Sequence, residues 1–315
     1  DRRGEGTSNL HLGNVFISLG KYQKAEEYHE KALAIAIEVG DKRGEGSSNG
    51  SLGAVFDWLG EYQKAKEYYE NALAIAIEIG DRRGEGTING NLGAVFHSLG
   101  KYQKAKEYHE KALAIAIEVG DKRGEGTGYG NLGVMFHSRG EYQKAKEYHE
   151  KALAIAIEVG DKQGEGTEYG NLGTVFYSLG DYQKAKEYYE KALAIAIEIG
   201  DREGEGTIHG NLGAVFDSLS EYHLAKEYHE KALAIAIEIG DKPGEGVRYG
   251  NLGAVFDSRG EYQKAIEYYE KALAIATEIG DTRGEGTVNG SLGAVFCSIS
   301  EYQKAKEYLE KALAI

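Results

Sequence analysis

The sequence predicts an all-α fold built from eight helix–turn–helix repeats, with about sixteen helices in all. Three observations predict this solenoid. One 40-residue pattern recurs from Asp1 onward without an insertion or a deletion. Each copy of the pattern contains two stretches whose apolar residues follow a helical period. The 315 residues include a single proline, so little in the sequence interrupts a helix.

Every copy fits the pattern D-x-x-G-E-G-x-x-x-x-x-L-G-x-x-F-x-x-x-[GS]-x-Y-x-x-A-x-E-Y-x-E-x-A-L-A-I. The repeats comprise residues 1–40, 41–80, 81–120, 121–160, 161–200, 201–240, 241–280 and 281–315. Because stacked repeats share a continuous core, we expect one array over residues 1–315. The start at Asp1 and the end inside a repeat at Ile315 indicate a fragment of a longer protein.

The third repeat illustrates how each copy forms two helices. Asp81 is a favoured N-cap for the first helix, and Gly100 marks its end. The second helix is expected from Tyr102 to about Glu118, and residues 112–117 are apolar nearly all round. The next repeat must cover that apolar end. The apolar stripe of the first helix comprises Leu92, Val95, Phe96 and Leu99.

Three glycines lie on one side of the first helix in seven of the eight repeats, as Gly86, Gly90 and Gly93 do in the third repeat. A glycine inside a helix costs about 1 kcal/mol relative to alanine. Such a loss indicates either a compliant first helix or close approach of neighbouring helices. Tight helix–helix packing is the favoured interpretation at all three places.

The repeat resembles the tetratricopeptide motif N-L-G-x-x-[YF]-x-x-L-G-x-Y-x-x-A-x-x-x-[YFH]-x-x-A-L over the whole chain. The 40-residue period is similar to the long variant found in Pins-type polarity adaptors and in large metazoan and cyanobacterial arrays. This resemblance implies a right-handed superhelix whose first helices line a concave groove. It also implies ligands that are extended peptides or helical segments. The matching residues of the third repeat are Leu92, Gly93, Phe96, Leu99, Gly100, Tyr102, Ala105 and Ala112.

One departure from the Pins-type repeats bears on the ligand. Those repeats resemble this one but carry an arginine near the place of Thr87, which helps them to bind acidic peptides. Here that place holds threonine, serine or valine in every repeat. We therefore expect a neutral or basic peptide rather than an acidic one.

Candidate ligand-binding residues are predicted on the groove side of the first helices. One set varies from repeat to repeat, which is expected of ligand selection or of drift on a solvated face. Five asparagines could grip a peptide backbone or bond to the neighbouring repeat. Trp58 is the only tryptophan and could anchor a partner. The predicted groove residues are Asp57, Trp58, Asn91, His97, Asn131, His137, Asn171, Tyr177, Asn211, Asp217, Asn251 and Asp257.

Other classes of function are disfavoured by the sequence. The net charge of −14 argues against a nucleic-acid partner, and no apolar run predicts a membrane span. His97, His137 and Asp57 are too few for a tetrahedral metal site, and Cys297 has no base partner by spacing. We expect no enzyme activity, cofactor or metal. A single cysteine favours a reducing, cytoplasmic compartment.

The leading hypothesis is a protein-interaction scaffold that binds peptide or helical segments in the groove. Two alternatives stay open. The apolar end near Ile315 could drive end-to-end self-association into a structural solenoid. The array could also be the sensor or regulatory arm of a larger signalling protein. His97 and His137 predict weaker binding of a basic ligand as the pH falls through about 6.5.

Overall fold

The computed structural model describes residues 1–315, and the prediction of an all-α fold with sixteen helices is confirmed. Odd-numbered helices are the first helices of the repeats, and even-numbered helices are the second helices. Repeats one to four contain α1 (Arg2–Ser18), α2 (Tyr22–Glu38), α3 (Lys42–Trp58), α4 (Tyr62–Glu78), α5 (Arg82–Ser98), α6 (Tyr102–Glu118), α7 (Lys122–Ser138) and α8 (Tyr142–Glu158). Repeats five to eight contain α9 (Lys162–Ser178), α10 (Tyr182–Ile199), α11 (Arg202–Ser218), α12 (Tyr222–Ile239), α13 (Lys242–Ser258), α14 (Tyr262–Ile279), α15 (Thr282–Ser298) and α16 (Tyr302–Leu313).

The ends of the helices follow from single residues of the repeat. The Oδ1 atom of Asp81 accepts a hydrogen bond of 2.9 Å from the backbone N–H of Gly84, which caps α5. Gly100 adopts a left-handed conformation with φ of 70°, which ends the same helix. Ser220 and Ser300 adopt that conformation where the other repeats have glycine. These caps and turns make each repeat a helical hairpin.

Each hairpin packs through a few small and large apolar side chains. Leu92 and Phe96 of α5 are buried together with Ala105 and Ile115 of α6. Within the chain, α5 contacts α6, α6 contacts α7, and α5 also touches α7. The chain divides into two compact units, Asp1–Asp161 and Lys162–Ile315, with four repeats each. That all eight repeats act as one domain stays a proposal.

The three glycines of the first helix have different surroundings. A Cβ atom on Gly93 would lie 2.5 Å from the Cε1 atom of His109, and one on Gly86 would lie 3.0 Å from the Cγ2 atom of Ile115. At Gly90, however, the nearest atom would be the Cβ of Ala112 at 3.9 Å. The tight-packing interpretation is therefore right for Gly93 and Gly86 and wrong for Gly90, where a Cβ atom would make only one ordinary van der Waals contact.

None of the sixteen helices combines the length and the apolar character that a membrane crossing requires.

Candidate functional site

Successive first helices enclose valleys whose floor is the second helix between them. The valley between α5 and α7 has a volume of about 260 Å³, and Ala112, Ile115 and Ala116 of α6 form its floor. A valley of about 500 Å³ lies between α9 and α11, and one of about 420 Å³ lies between α13 and α15. Each is a surface cleft lined mainly by small and polar residues of the first helices, so a peptide chain could enter it.

All five predicted asparagines line these valleys. We call them the amide set: Asn91, Asn131, Asn171, Asn211 and Asn251. Asn91 and Asn131 line one valley, and Asn171 and Asn211 line another. The Asn171 amide donates a long hydrogen bond of 3.4 Å to Glu168 on its own helix. The other four side chains are half-buried and make no hydrogen bond within the chain, so no bond to a neighbouring repeat occupies them.

The valleys also contain glycines that are not tightly packed. Gly90 lines the valley between α5 and α7, and Gly250 lines the valley between α13 and α15. A Cβ atom on Gly250 would meet no atom within 4 Å. A helix surface without a Cβ atom leaves room for the main chain of a ligand to approach closely.

The variable residues of the first helices lie nearer the turn into the second helix. This turn-end set comprises Ile17, Asp57, His97, His137, Tyr177, Asp217, Asp257 and Cys297. The His97 ring packs edge-on against Tyr102 at a centroid distance of 5.5 Å, and Tyr177 lies 5.4 Å from Tyr182. The Tyr177 hydroxyl is also within 3.0 Å of the Ser218 hydroxyl. The described valleys are therefore lined by the amide set and not by the turn-end set.

Three carboxyl groups of the turn-end set are half-buried. Burial raises the pKa of Asp57, Asp217 and Asp257 above the usual range. The Oδ1 atom of Asp217 is fully buried and has no hydrogen-bond partner. A cation placed beside such a carboxylate would compensate for the lost hydration.

The histidines of the turn-end set require a correction of the expected pH dependence. Burial lowers the pKa of His97, and burial together with His149 lowers that of His137. The Nε2 atom of His97 is fully buried. Charging of either ring therefore falls below pH 6.5, and the expected weakening of a basic ligand moves to lower pH than the sequence predicted.

Trp58 is the most exposed of the predicted groove residues. Its side chain is 69% exposed and lies parallel to the ring of Tyr22, at a centroid distance of 6.3 Å. The pair joins the end of α3 to the start of α2 and presents a flat aromatic surface to the solvent. An anchoring role for Trp58 stays a prediction.

Sequence reasoning missed a set of buried rings on the second helices. This buried ring set comprises His29, Tyr69, His109, His149, Tyr189, His229 and Tyr269. Each ring lies against the glycine of the Leu-Gly pair in its own repeat, as His109 does on Gly93. The one sequence signal is that this place holds histidine, tyrosine or leucine in an otherwise nearly uniform helix, which indicates variation but not burial. Burial lowers the pKa of His29, His109 and His229 to about 4.

The outer face of the second helices exposes one isoleucine in most repeats. Its members are Ile37, Ile77, Ile117, Ile157, Ile197 and Ile237, and each is more than half exposed. Scattered exposed aliphatic residues are common on protein surfaces. We therefore do not treat these isoleucines as a second binding site, and we use them as control positions for substitutions in the groove.

The chain brings together no group of three or more His, Cys, Asp or Glu side chains that could hold a metal ion. His97, His137 and Asp57 accordingly do not form one. Cys297 is an exposed free thiol at the end of α15. The geometry groups amides and glycines, which suit recognition of a main chain.

Comparison with known proteins bears on the fold. The apo quorum sensor NprR from B. thuringiensis superposes with a TM-score of 0.73 at 16% identity, covering 100% of this chain and 88% of that one. A signal-transduction ATPase with a tetratricopeptide repeat sensor, from Pyrococcus horikoshii, has a TM-score of 0.73 at 18% identity and 99% coverage of this chain. This chain spans only 47% of that protein. A Rap protein complexed with Competence and Sporulation Factor has a TM-score of 0.68 at 14% identity, covering 99% and 97% of the two chains.

At these identities the likenesses establish the fold alone. No curated protein sequence matches the chain. The sequence model described as Tetratricopeptide repeat matches residues 5–78, 46–118, 84–158, 165–238, 205–278 and 245–315. These overlapping segments cover nearly the whole chain and agree with the helical hairpins described above. The chain therefore belongs to the tetratricopeptide repeat family.

Proposed function

We propose that the chain is a non-catalytic protein-interaction scaffold that binds peptide or helical segments in the groove lined by its first helices. One observation carries the proposal. Asn91, Asn131, Asn211 and Asn251 present half-buried amides that make no hydrogen bond within the chain. A primary amide offers two donors and one acceptor oxygen, which match the carbonyl and N–H groups of a peptide. Because these amide atoms are not shut off from solvent, they are free to bond to a ligand that enters the valley.

The open glycines support the same function. Gly90 and Gly250 leave the surface beside Asn91 and Asn251 free of side chains. A ligand main chain can therefore come close enough to bond to the amides. Side chains of the turn-end set would then select the ligand sequence, because they differ between neighbouring repeats, whereas asparagine recurs at the place of the amide set in repeats three to seven.

The charge of the preferred ligand follows from the turn-end set. Asp57, Asp217 and Asp257 are half-buried carboxyl groups without a basic partner in the chain. A lysine or arginine of the ligand would pair with them. We therefore propose a ligand that is neutral or basic over this part of the groove.

The test uses a synthetic library of random-sequence peptides presented to the intact chain. The double variant Asn91→Ala/Asn131→Ala removes both amides of one valley. We expect the affinity for the selected peptides to fall about thirtyfold, since each of the two amides loses a hydrogen bond that contributes about 1 kcal/mol. The melting temperature should change little, because these amides bond to nothing in the free chain.

Ile117→Ala on the outer face of α6 is the matched control, since Ile117 is exposed on the second helix of the same repeat. Its affinity for the peptides should equal that of the original chain. Asp217→Lys should shift the selected peptides from basic to acidic sequences. Binding that survives the double variant but is lost with Ile117→Ala would show that the outer face, not the groove, is the site.

Self-association through the end repeats is a second candidate function. Leu12 and Val15 on α1 and Leu19 directly after it are exposed, and so are Leu313 at the end of α16 and Ile315 beyond it. Exposed apolar faces of terminal repeats favour stacking of one chain on another. We expect light scattering of the 315-residue chain to show a molar mass that rises with concentration. A constant monomer mass at high concentration would rule this candidate out. A sensor role within a longer protein is the remaining alternative.

A further inference from the structure

Arg248 extends from α13 into the valley between α11 and α13. Its equivalents Gly128, Ile208 and Val288 each line the valley in front of their own first helix. The guanidinium lies directly on Gly210 of α11, where a Cβ atom would collide with its Nη1 and Cζ atoms. The arginine therefore fills the place in which Ile208 lies over Gly170 one repeat earlier.

This guanidinium has no partner within the chain. Arg248 is half-buried and makes no hydrogen bond and no ion pair. Arg82, in contrast, bonds to both Glu85 and Glu118. The nearest opposite charge that acts on Arg248 is Asp241, which lies beyond ion-pair distance. The Oδ1 atom of Asp241 already caps α13, because it accepts a hydrogen bond of 2.9 Å from the backbone N–H of Gly244. Arg248 is thus a charged group that is partly withdrawn from water without compensation.

Arg248 makes the electrostatic potential around it more positive. The arginine helps to lower the pKa of His229, whose Nδ1 atom is buried without a partner. Burial also lowers the pKa of Arg248, but a guanidinium stays charged at any ordinary pH. Five N–H donors in a planar fork match a carboxylate, which accepts two parallel hydrogen bonds.

We propose that Arg248 binds a carboxylate of the groove ligand, either its C-terminal carboxylate or the side chain of an aspartate or glutamate. This inference rests on the proposed function and names the chemistry of one subsite within it. Asn211 lies on α11 and Asn251 on α13, the two helices that border this valley. Their amides could therefore form hydrogen bonds with the ligand main chain next to the carboxylate. A single carboxylate is compatible with a ligand that is otherwise neutral or basic.

The adjacent valley indicates which residue accompanies the carboxylate. Val247 precedes Arg248 on α13 and lines the valley of about 420 Å³ between α13 and α15. Ile279 and Val288 line the same valley, so it offers apolar surface beside Val247. We therefore expect an apolar ligand side chain next to the carboxylate.

The experiment uses a library of random-sequence peptides made in two forms, one with free and one with amidated C-termini. Peptides retained by the intact chain are measured again with Arg248→Ile. Isoleucine occupies this place in the third and sixth repeats, as Ile88 and Ile208, so the variant should fold. Loss of a charge-assisted bidentate contact should weaken binding about ten- to a hundredfold.

Further variants distinguish loss of the contact from loss of charge. Gly210→Ala keeps the arginine but displaces its guanidinium, and it should also weaken binding. Arg259→Leu removes one positive charge from the same repeat and places there the residue found at Leu219, so the affinity should not change. Amidation that abolishes retention would identify the C-terminal carboxylate as the ligand group. Retained amidated peptides that share an aspartate or glutamate would identify the side chain.

Two outcomes would overturn the inference in different ways. If peptides bind with equal affinity to the original chain and to Arg248→Ile, the carboxylate subsite is wrong while the groove function stands. If neither form of the library is retained by the intact chain, the proposed function fails and the subsite fails with it.

Discussion

Between pH 7 and pH 5 the chain is expected to lose about 4 kcal/mol of stability through His109 and His229 alone. Both rings are buried, and burial lowers their pKa to about 4, whereas an unfolded histidine has a pKa of about 6.5. The unfolded chain therefore takes up protons first. The stabilisation that depends on these two neutral rings is fully present above about pH 6.5. It decreases as the pH falls from 6.5 to about 4, and it does not change further below pH 4. At pH 5 each ring contributes about 2 kcal/mol of the loss.

The chain supplies its own control for this prediction. Tyrosine occupies the same place in other repeats, as Tyr69 and Tyr269 do, and it stays neutral throughout this range. The double variant His109→Tyr/His229→Tyr should therefore fold and should keep most of its stability at pH 5. Urea unfolding followed by circular dichroism at pH 7 and pH 5 measures the difference. Equal losses in the two proteins would show that other groups cause the acid sensitivity.

Gly93→Ala is expected to lower the free energy of unfolding by about 2 kcal/mol, as overpacking of a filled core does. A methyl group there would lie 2.5 Å from atoms of the buried His109 ring, so ring and helix must move apart. Gly90→Ala in the same helix meets no such obstacle and should gain up to about 1 kcal/mol from helix propensity. Urea midpoints of the two variants give the comparison.

The pair separates packing from propensity because both changes are Gly→Ala, three residues apart on α5. Adding His109→Ala to Gly93→Ala should recover part of the loss, since the ring that obstructs the methyl group is then absent. If Gly93→Ala is as stable as Gly90→Ala, close contact between the glycine and the ring does not limit this fold.

Much of the fold could be predicted because the capping and turn residues of each repeat mark where its helices begin and end. The N-cap at Asp81 and the turn at Gly100 were assigned from sequence, and the structure has both. The pattern that predicts these helix ends recurs in all eight repeats. The 40-residue period alone is enough to predict the number of helices and their pairing into hairpins.

The surroundings of individual side chains could not be predicted to the same depth. Gly90 and Gly93 lie on the same side of one helix, and only the position of the second helix shows that one is open and the other is covered. The His109 position varies among histidine, tyrosine and leucine, which does not reveal burial by itself. The sequence does not distinguish Arg248 from its neighbours, because a guanidinium without a partner is recognised only when the positions of the surrounding side chains are known. Which of the groove residues bind a ligand stays a prediction.

Within each of the two compact units, contacts join a helix to helices one or two places away in the sequence. We expect the free energy of such a unit to be nearly a sum of terms for each hairpin and its neighbours, because no contact between distant helices couples its repeats into a single transition. Damage to one hairpin should raise amide hydrogen exchange there and in the adjoining repeats while leaving the rest protected. The melting temperature of the whole chain would then not report the local effect of a variant. One hairpin could unfold and disrupt the valley that it borders while most of the helical circular dichroism signal persists.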